Sequence, residues 1–396
     1  MRSLSLRTVA EASLIAVLCS ASIRGESLPP ASALGAWSSP LSASALFSGT
    51  EPGDQFLAER LPPVTAQTQP GGSSPGVAWE SGETLIGNSQ SASQSSCCPS
   101  TEIAGNCYLS PECEACPKRG MFAFLGYDSW RGISDGGWAN YGIHTGVNFG
   151  SRLGAFSDST GIGLQVGGSA GAANWAGTDY RLSRQDDAQT QGFFTYGLFR
   201  KPQGGSAWSA AVVHDWMFND NYGLFAEDPT MGQWRAQAGY ALSQRDEAGL
   251  WGTWRLQSDT LDVPFFGPTT WRAINQINTY WHHKWLAGGP DTWLWLGLPE
   301  NERLNGDGSL GDYLVGALAN CPFNERIALY ATVSYMHQSA AAGPVGATED
   351  AWNLTTGMSF YPARNARTRT VAGQCWMPQL PVANNGTFLV DVSQGY

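Results

Sequence analysis

From Tyr141 to Gly150 the chain alternates without a break. Tyr141, Ile143, Thr145, Val147 and Phe149 occupy the odd positions; Gly142, His144, Gly146, Asn148 and Gly150 the even ones. Side chains of a strand point alternately to its two faces. The stretch therefore predicts a strand with one apolar face and one small, polar face. Similar patterns recur at 121–130, 139–151, 160–172, 190–201, 206–218, 232–243, 247–258, 271–284, 290–299, 309–320, 325–337 and 351–361. In one of them Trp234, Ala236, Ala238, Tyr240 and Leu242 share a face opposite Arg235, Gln237 and Gly239. Ile327, Leu329, Ala331, Val333 and Tyr335 form another apolar row, and Trp352, Leu354, Thr356, Met358 and Phe360 a third. The segments are about as long as the roughly 9–11 residues with which a tilted strand crosses a bilayer. So many apolar faces need a cover. A Gly- and aromatic-rich soluble sandwich or propeller is one solution. The preferred one is a sheet closed on itself with lipid outside and water inside. The fold class expected is all-β: an antiparallel, up-and-down transmembrane β-barrel of about twelve strands.

The links between segments add a direction. Those at 202–205, 244–246, 286–289 and 322–324 are short; those near 173–189, 219–231, 259–270, 300–308 and 338–350 are longer. Short and long alternate from residue 173 onward, as the periplasmic turns and outer loops of bacterial barrels do. A propeller would show a period of about 40–50 residues, and none is visible. An even strand count puts both ends of the barrel on the periplasmic side.

Composition agrees. The chain has 48 Gly, 17 Trp, 13 Tyr and 16 Phe, yet only 14% of residues are charged, against about a quarter in soluble domains. The net charge of −11 argues against nucleic acid, whose phosphates need clustered Lys and Arg. Arg2 and Arg7, the apolar run from Ser13 to Cys19, and the small residues Ser20, Ala21 and Ser22 read as an export signal over 1–25. Residues 26–95 are Ser/Pro/Gly-rich and read as a disordered leader. A Cys-rich segment occupies 96–119, the barrel 120–361, and a tail 362–396 that is periplasmic or docks into the lumen.

The stretches Phe122-Ala123-Phe124-Leu125-Gly126-Tyr127-Asp128-Ser129-Trp130 and Asn385-Gly386-Thr387-Phe388-Leu389-Val390-Asp391 resemble bacterial outer-membrane β-barrel proteins. The layout is similar to an uncharacterised exported barrel family of planctomycete type. The resemblance covers roughly 120–396 and implies a fold and an outer-membrane location. It brings no catalytic motif. The tail departs from the usual pattern, in which the last strand ends the chain. Phe388, Val390, Val392, Gln394 and Tyr396 alternate again after Pro378, Pro381 and Asn384-Asn385-Gly386. Either this is the closing strand, or, as preferred, it folds under or into the barrel.

Several groups are candidates for chemistry. Cys97, Cys98, Cys107, Cys113 and Cys116 lie close together, with metal-ligand spacing only in Cys113-Glu114-Ala115-Cys116. In an exported chain disulfides are the preferred reading, ahead of zinc or free thiols. Loop alternation places Cys321 and Cys375 on the same side, and a bond between them would pin the tail beneath the barrel. Candidate lumen residues are His144, Asn148, Arg235, Gln237, Arg255, Gln257, Gln276, Asn278, His282 and Asp312. They either line a channel for small polar solutes or bond to one another and fill it. The histidines match no hydrolase motif. Regular alternation sends His282 and His283 to opposite faces, and adjacent His214 and Asp215 read as a strand rim. The acidic loop residues Asp186, Asp187, Asp220, Glu227, Asp228, Asp307, Glu349 and Asp350 form no calcium-loop pattern and read as solvated charge. The expectation is a non-enzymatic pore without cofactor or bound metal. Its alternatives are a non-conducting structural or anchoring protein and, more weakly, a hydrolase.

Overall fold

The computed structural model describes residues 119–393, apart from 136–137, 176–187, 203–205, 303, 305–309, 338–349, 369 and 374–375. The expected signal, leader and five-cysteine segment lie outside the described residues, as do Cys375, Asp186, Asp187, Asp307 and Glu349.

The strands are β1 (Arg119–Arg131), β2 (Asn140–Arg152), β3 (Ile162–Ala173), β4 (Gln189–Arg200), β5 (Trp208–Asp220), β6 (Thr230–Ala241), β7 (Asp246–Val263), β8 (Gly267–Ala273), β9 (Gln276–Lys284), β10 (Asp291–Pro299), β11 (Tyr313–Pro322), β12 (Ile327–His337), β13 (Ala351–Phe360) and β14 (Val390–Val392). Every pairing is antiparallel. Neighbours pair in chain order from β1 to β7 and from β9 to β13. The ring closes where β1 pairs with β13 and β7 with β9. The result is a closed barrel of twelve strands, with no free edge among them.

The remaining strands, β8 and β14, correct one expected segment. The pattern at 271–284 predicts a single strand, but β7 continues past its partner β9 and β8 folds back on the overhang. Phe265 and Gly267 make that reversal with positive φ angles of 70° and 74°, a conformation that Gly adopts without a Cβ clash. Fully buried Ile274 then leads the chain into β9. Strand β14, from the tail, adds to the free side of β8.

Taking the end where β1 starts as the lower one, the links at 242–245, 285–290 and 323–326 are lower turns, and β4 ends and β5 begins at the same end. The strand ends at Ala173 and Gln189, Pro299 and Tyr313, and His337 and Ala351 lie at the upper end. The outer wall is apolar. Leu125, Ile143, Leu198, Val212, Leu250, Ile277, Leu296 and Met358 all stand exposed on it. An apolar belt around a closed barrel far exceeds the few hundred Å² that soluble monomers expose. With each strand of the ring paired on both sides, the wall meets the requirement for a membrane-spanning element. Trp254, Trp281 and Trp285 also stand exposed, whereas Trp251, Trp293 and Trp295 stand on the opposite face and line the interior cavity. Leu125 sits halfway along β1 and is 54% exposed. Leu125→Arg should cost about 2–4 kcal/mol of folding stability in a bilayer, measured by urea titration in lipid vesicles.

Candidate functional site

The lumen holds the chain's own tail. After β13 the chain passes three lower turns in succession. Tyr361 N donates to Arg326 O at 2.7 Å and Ala366 N to Glu325 O at 3.0 Å; Gly288 N donates to Thr368 O at 2.9 Å; Val371 N donates to Gln244 O at 3.0 Å. At Trp376 it enters the barrel against a track of glycines. A Cβ on Gly120 would lie 2.8 Å from Met377 Cα, and one on Gly167 2.7 Å from Val382 Cγ2. A Cβ on Gly150 would collide with the Trp376 carbonyl oxygen. Gly150 of the alternating stretch, with Gly120 beside it, therefore makes room for a second backbone, whereas Gly142 and Gly146 lie against neighbouring wall atoms.

Wall side chains then grip the tail at successive heights. Asn148 and Gln165 both donate to Leu380 O, at 2.9 and 2.6 Å, and Gln165 Oε1 accepts from Leu380 N at 3.2 Å. Arg235 donates to Pro381 O at 2.8 Å, and Ala383 N donates to Thr195 Oγ1 at 3.1 Å. Asn385 donates to Gln191 at 2.9 Å and to Asp128 at 3.3 Å, and Gln233 donates to Thr387 O at 3.2 Å. Buried backbone without regular pairing needs such partners. Side chains on the polar face supply them.

The upper end is sealed by apolar packing. Phe388, Val390 and Val392 join Met217, Tyr222, Phe225, Met231 and Trp271 in one buried cluster. Leu389 joins Ile274, Leu310, Leu314 and Met336 in another. Arg272 fastens the tail end by an ion pair to Asp391 at 3.1 Å, with Glu300 close to Arg272 and bonded to Arg255 at 3.1 Å.

The ten candidate lumen residues fall into three groups. Asn148, Arg235 and Gln276 reach the tail, the last at 3.5 Å from Thr387 O. His144, Gln237, Asn278 and His282 bond or stack on the wall. His144 Nε2 lies 2.7 Å from Tyr330 OH, Gln237 donates to Tyr280 OH at 2.9 Å, Asn278 donates to Gln276 at 3.2 Å, and His282 stacks on Trp293 with centroids 3.6 Å apart. Three sit elsewhere. Arg255 lies at the upper rim in its ion pair with Glu300. Asp312 stands exposed in the β10–β11 loop, 3.8 Å from His337. Gln257 is exposed because the sheet bulges. Gln233 pairs with Arg255 and Gly232 with Gln257, so Leu256 is an extra residue and the alternation slips by one.

The sequence reading missed a charge pair that is almost fully buried. Asp215 is buried in mid-lumen, not at a rim, with Arg235 Nε 3.0 Å from its Oδ2 and Thr195 Oγ1 donating at 2.6 Å. Its place on the face of Ser209, Ala211 and Val213 was the available signal. His214, on the other face, is buried among Tyr196, Trp216 and Trp234. A second charged group lies near the lower end. Lys284 donates to Asp291 at 3.3 Å, and Ser209 and Tyr280 both donate to Glu247. Just below β4, burial pushes the Lys201 ammonium down to about 8, against the attraction of Glu247 and Asp291.

Residues of the described histidines' neighbourhoods give no serine dyad. His144 and His214 bond to Tyr330 and Tyr196, His283 to Asp246, and His337 to Asp350 and Tyr335. Beside the tail, the lumen keeps a cavity of about 290 Å³, walled by β1, by Ser169, Ala170, Gly171 and Ala172 of β3, by the sheet from β9 to β13 and by the tail itself, with fewer residues from β2, β4, β6 and β7.

A family model described as "Family of unknown function (DUF6666)" matches residues 120–390. The chain belongs to that family. The matched region takes in the whole barrel and the tail as far as Val390, so wall and tail fall within one family unit. No curated protein matches the chain. Solved structures similar to it include the COG4313 outer membrane channel from Pseudomonas putida F1, with a TM-score of 0.42 at 11% identity over 63% of this chain and 97% of that one. The KdgM porin has a TM-score of 0.34 at 7% identity over 60% of this chain and 98% of that one. Outer membrane phospholipase A from Escherichia coli has a TM-score of 0.35 at 9% identity over 60% of this chain and 92% of that one.

Cys321 is buried and disulfide-bonded. The expected partner, Cys375, directly precedes Trp376, where the tail enters the barrel. A bond between them would fix the tail at its point of entry. Non-reducing peptide mapping should recover a peptide joining Cys321 to Cys375; recovery of Cys375 as a free thiol contradicts the pairing.

Proposed function

We propose that the protein is an exported outer-membrane barrel that passes small solutes and is held shut by its own C-terminal segment. The observation that carries the reading is the tail itself. It runs the length of the lumen and seals the upper end, while a cavity persists beside it. A twelve-stranded barrel is wider than the eight-stranded barrels that side chains alone can fill. Here a second polypeptide segment, not side chains alone, fills the difference. The apolar outer wall makes lipid the expected surroundings, and the short lower turns face the periplasm by the usual asymmetry of such barrels. The reading assigns no catalysis, cofactor or metal.

The grip at every height favours a second reading, a barrel that never conducts and serves as a structural or anchoring element. Planar-bilayer recording separates the two. The channel reading predicts long closed periods for the natural protein and discrete openings once the tail is dislodged. A folded barrel that carries no current with its tail dislodged contradicts it.

A further inference from the structure

The chamber beside the tail is chemically uneven. Its walls carry the rings of Phe124, Trp251, Trp293, Trp295 and Tyr330. Trp251 and Trp295 meet edge to face with centroids 6.0 Å apart, and Phe124 and Tyr330 do so at 6.3 Å. Both charged residues on its wall already have their polar atoms engaged, Arg235 in an ion pair and Asp128 by neutral donors. Asp128 accepts from Asn353 and Thr355 at 2.7 Å each, and Arg235 is held by Asp215 and Pro381. An anion would lose its hydration and find no free countercharge, and a cation would meet only Asp128, whose oxygens already accept three hydrogen bonds. A sugar, with a hydroxyl on most carbons, would meet amides and hydroxyls that largely serve the tail and wall. A plain hydrocarbon would leave His144 unused. Its Nε2 is bonded to Tyr330, while its buried Nδ1 has no hydrogen-bond partner among the described residues.

From this we infer that the chamber binds an uncharged aromatic compound of one or two rings bearing a hydroxyl or similar polar group, stacked among Trp251, Trp293 and Trp295 and hydrogen-bonded near His144. The volume of about 290 Å³ is at the small end for ligand pockets and suits such a molecule. The inference rests on the channel reading for its physiological sense: this is the solute class the channel admits.

The probe is 4-fluorophenol, followed by fluorine NMR on the full-length protein in lipid nanodiscs, with empty nanodiscs subtracted. Saturable binding is expected, with 4-fluorobenzoate and sucrose failing to compete. Trp295→Leu should weaken binding about tenfold, the scale of one lost aromatic contact. The outward-facing Trp254→Leu should leave it unchanged. His144→Phe keeps a ring but removes the nitrogens, and should weaken 4-fluorophenol while sparing fluorobenzene. Absence of saturable binding, equal loss in Trp295→Leu and Trp254→Leu, or preference for the benzoate or the sugar overturns the inference. Conductance of the same samples keeps the two ideas apart. Current without 4-fluorophenol binding sinks this inference alone. Binding with no current after the tail is dislodged sinks the channel reading and leaves a sealed binding chamber.

Discussion

Gly150→Val should raise the conductance of the barrel several-fold. The three atoms nearest to a Cβ at Gly150 are the Trp376 oxygen, Pro378 N at 3.0 Å and Met377 C at 3.2 Å, all tail backbone. Val suits a strand and its side chain would point into the lumen, so the wall tolerates it. The tail does not, because backbone held between wall contacts above and below has no rotamer with which to yield. The expected result is a folded, heat-modifiable barrel with more frequent and larger openings. New proteolytic cuts should appear within 376–384. Gly168→Val is the control: Gly168 faces outward, where the nearest atom to a new Cβ is 3.5 Å away. Equal conductance in wild type, Gly150→Val and Gly168→Val would show that the tail does not gate.

Arg235→Met should destabilise the fold by about 3–5 kcal/mol, the cost of stripping one partner from a buried ion pair. Asp215 has 0% side-chain exposure and Arg235 has 2%. Loss of the guanidinium leaves the carboxylate to Thr195 and Gln233 alone, and also frees Pro381 O. The variant should therefore have both a lower urea midpoint and a looser tail. Replacing both residues, Arg235→Met with Asp215→Leu, should recover most of the stability, because no charge then stays buried alone. Gln237→Met, two residues further along the same face, should cost far less. Equal midpoints for Arg235→Met and wild type contradict the pairing.

The alternation made the barrel legible because a closed wall between two media imposes a strict period of two. Eleven of the expected segments coincide with a strand of the ring to within a few residues. The exception at 271–284 lies where β7 outruns its partner, and overhang is a matter of register with another strand, not of local pattern. The bulge at Gln257 is of the same kind: alternation continues in the sequence, while the pairing slips. The polar face was legible at His144, Asn148 and Arg235, but not what it faces. Asn148 reads equally well as lining water or as holding Leu380, and only the path of residues some 230 positions away decides. The tail gave a partial signal through its alternation at Phe388, Val390 and Val392. That pattern marks buried apolar positions against the upper end and a three-residue strand, so it does not complete the ring. Asp215 escaped because its neighbour His214 suggested a rim, whereas the register with Gln233 puts it deep in the wall.

The central claim is that residues 376–392 lie inside the barrel when it sits in a membrane. A cysteine pair tests it most directly. A Cβ on Gly167 would stand 2.7 Å from Val382 Cγ2, so Gly167→Cys with Val382→Cys should crosslink under mild oxidation in lipid vesicles. The bond should map by mass spectrometry to those two peptides and abolish channel openings until it is reduced. Pairing Val382→Cys with Gly168→Cys, on the outward face, should give no bond. Failure of the Gly167–Val382 pair to crosslink in a folded, membrane-inserted barrel would place the tail outside the lumen and contradict the account.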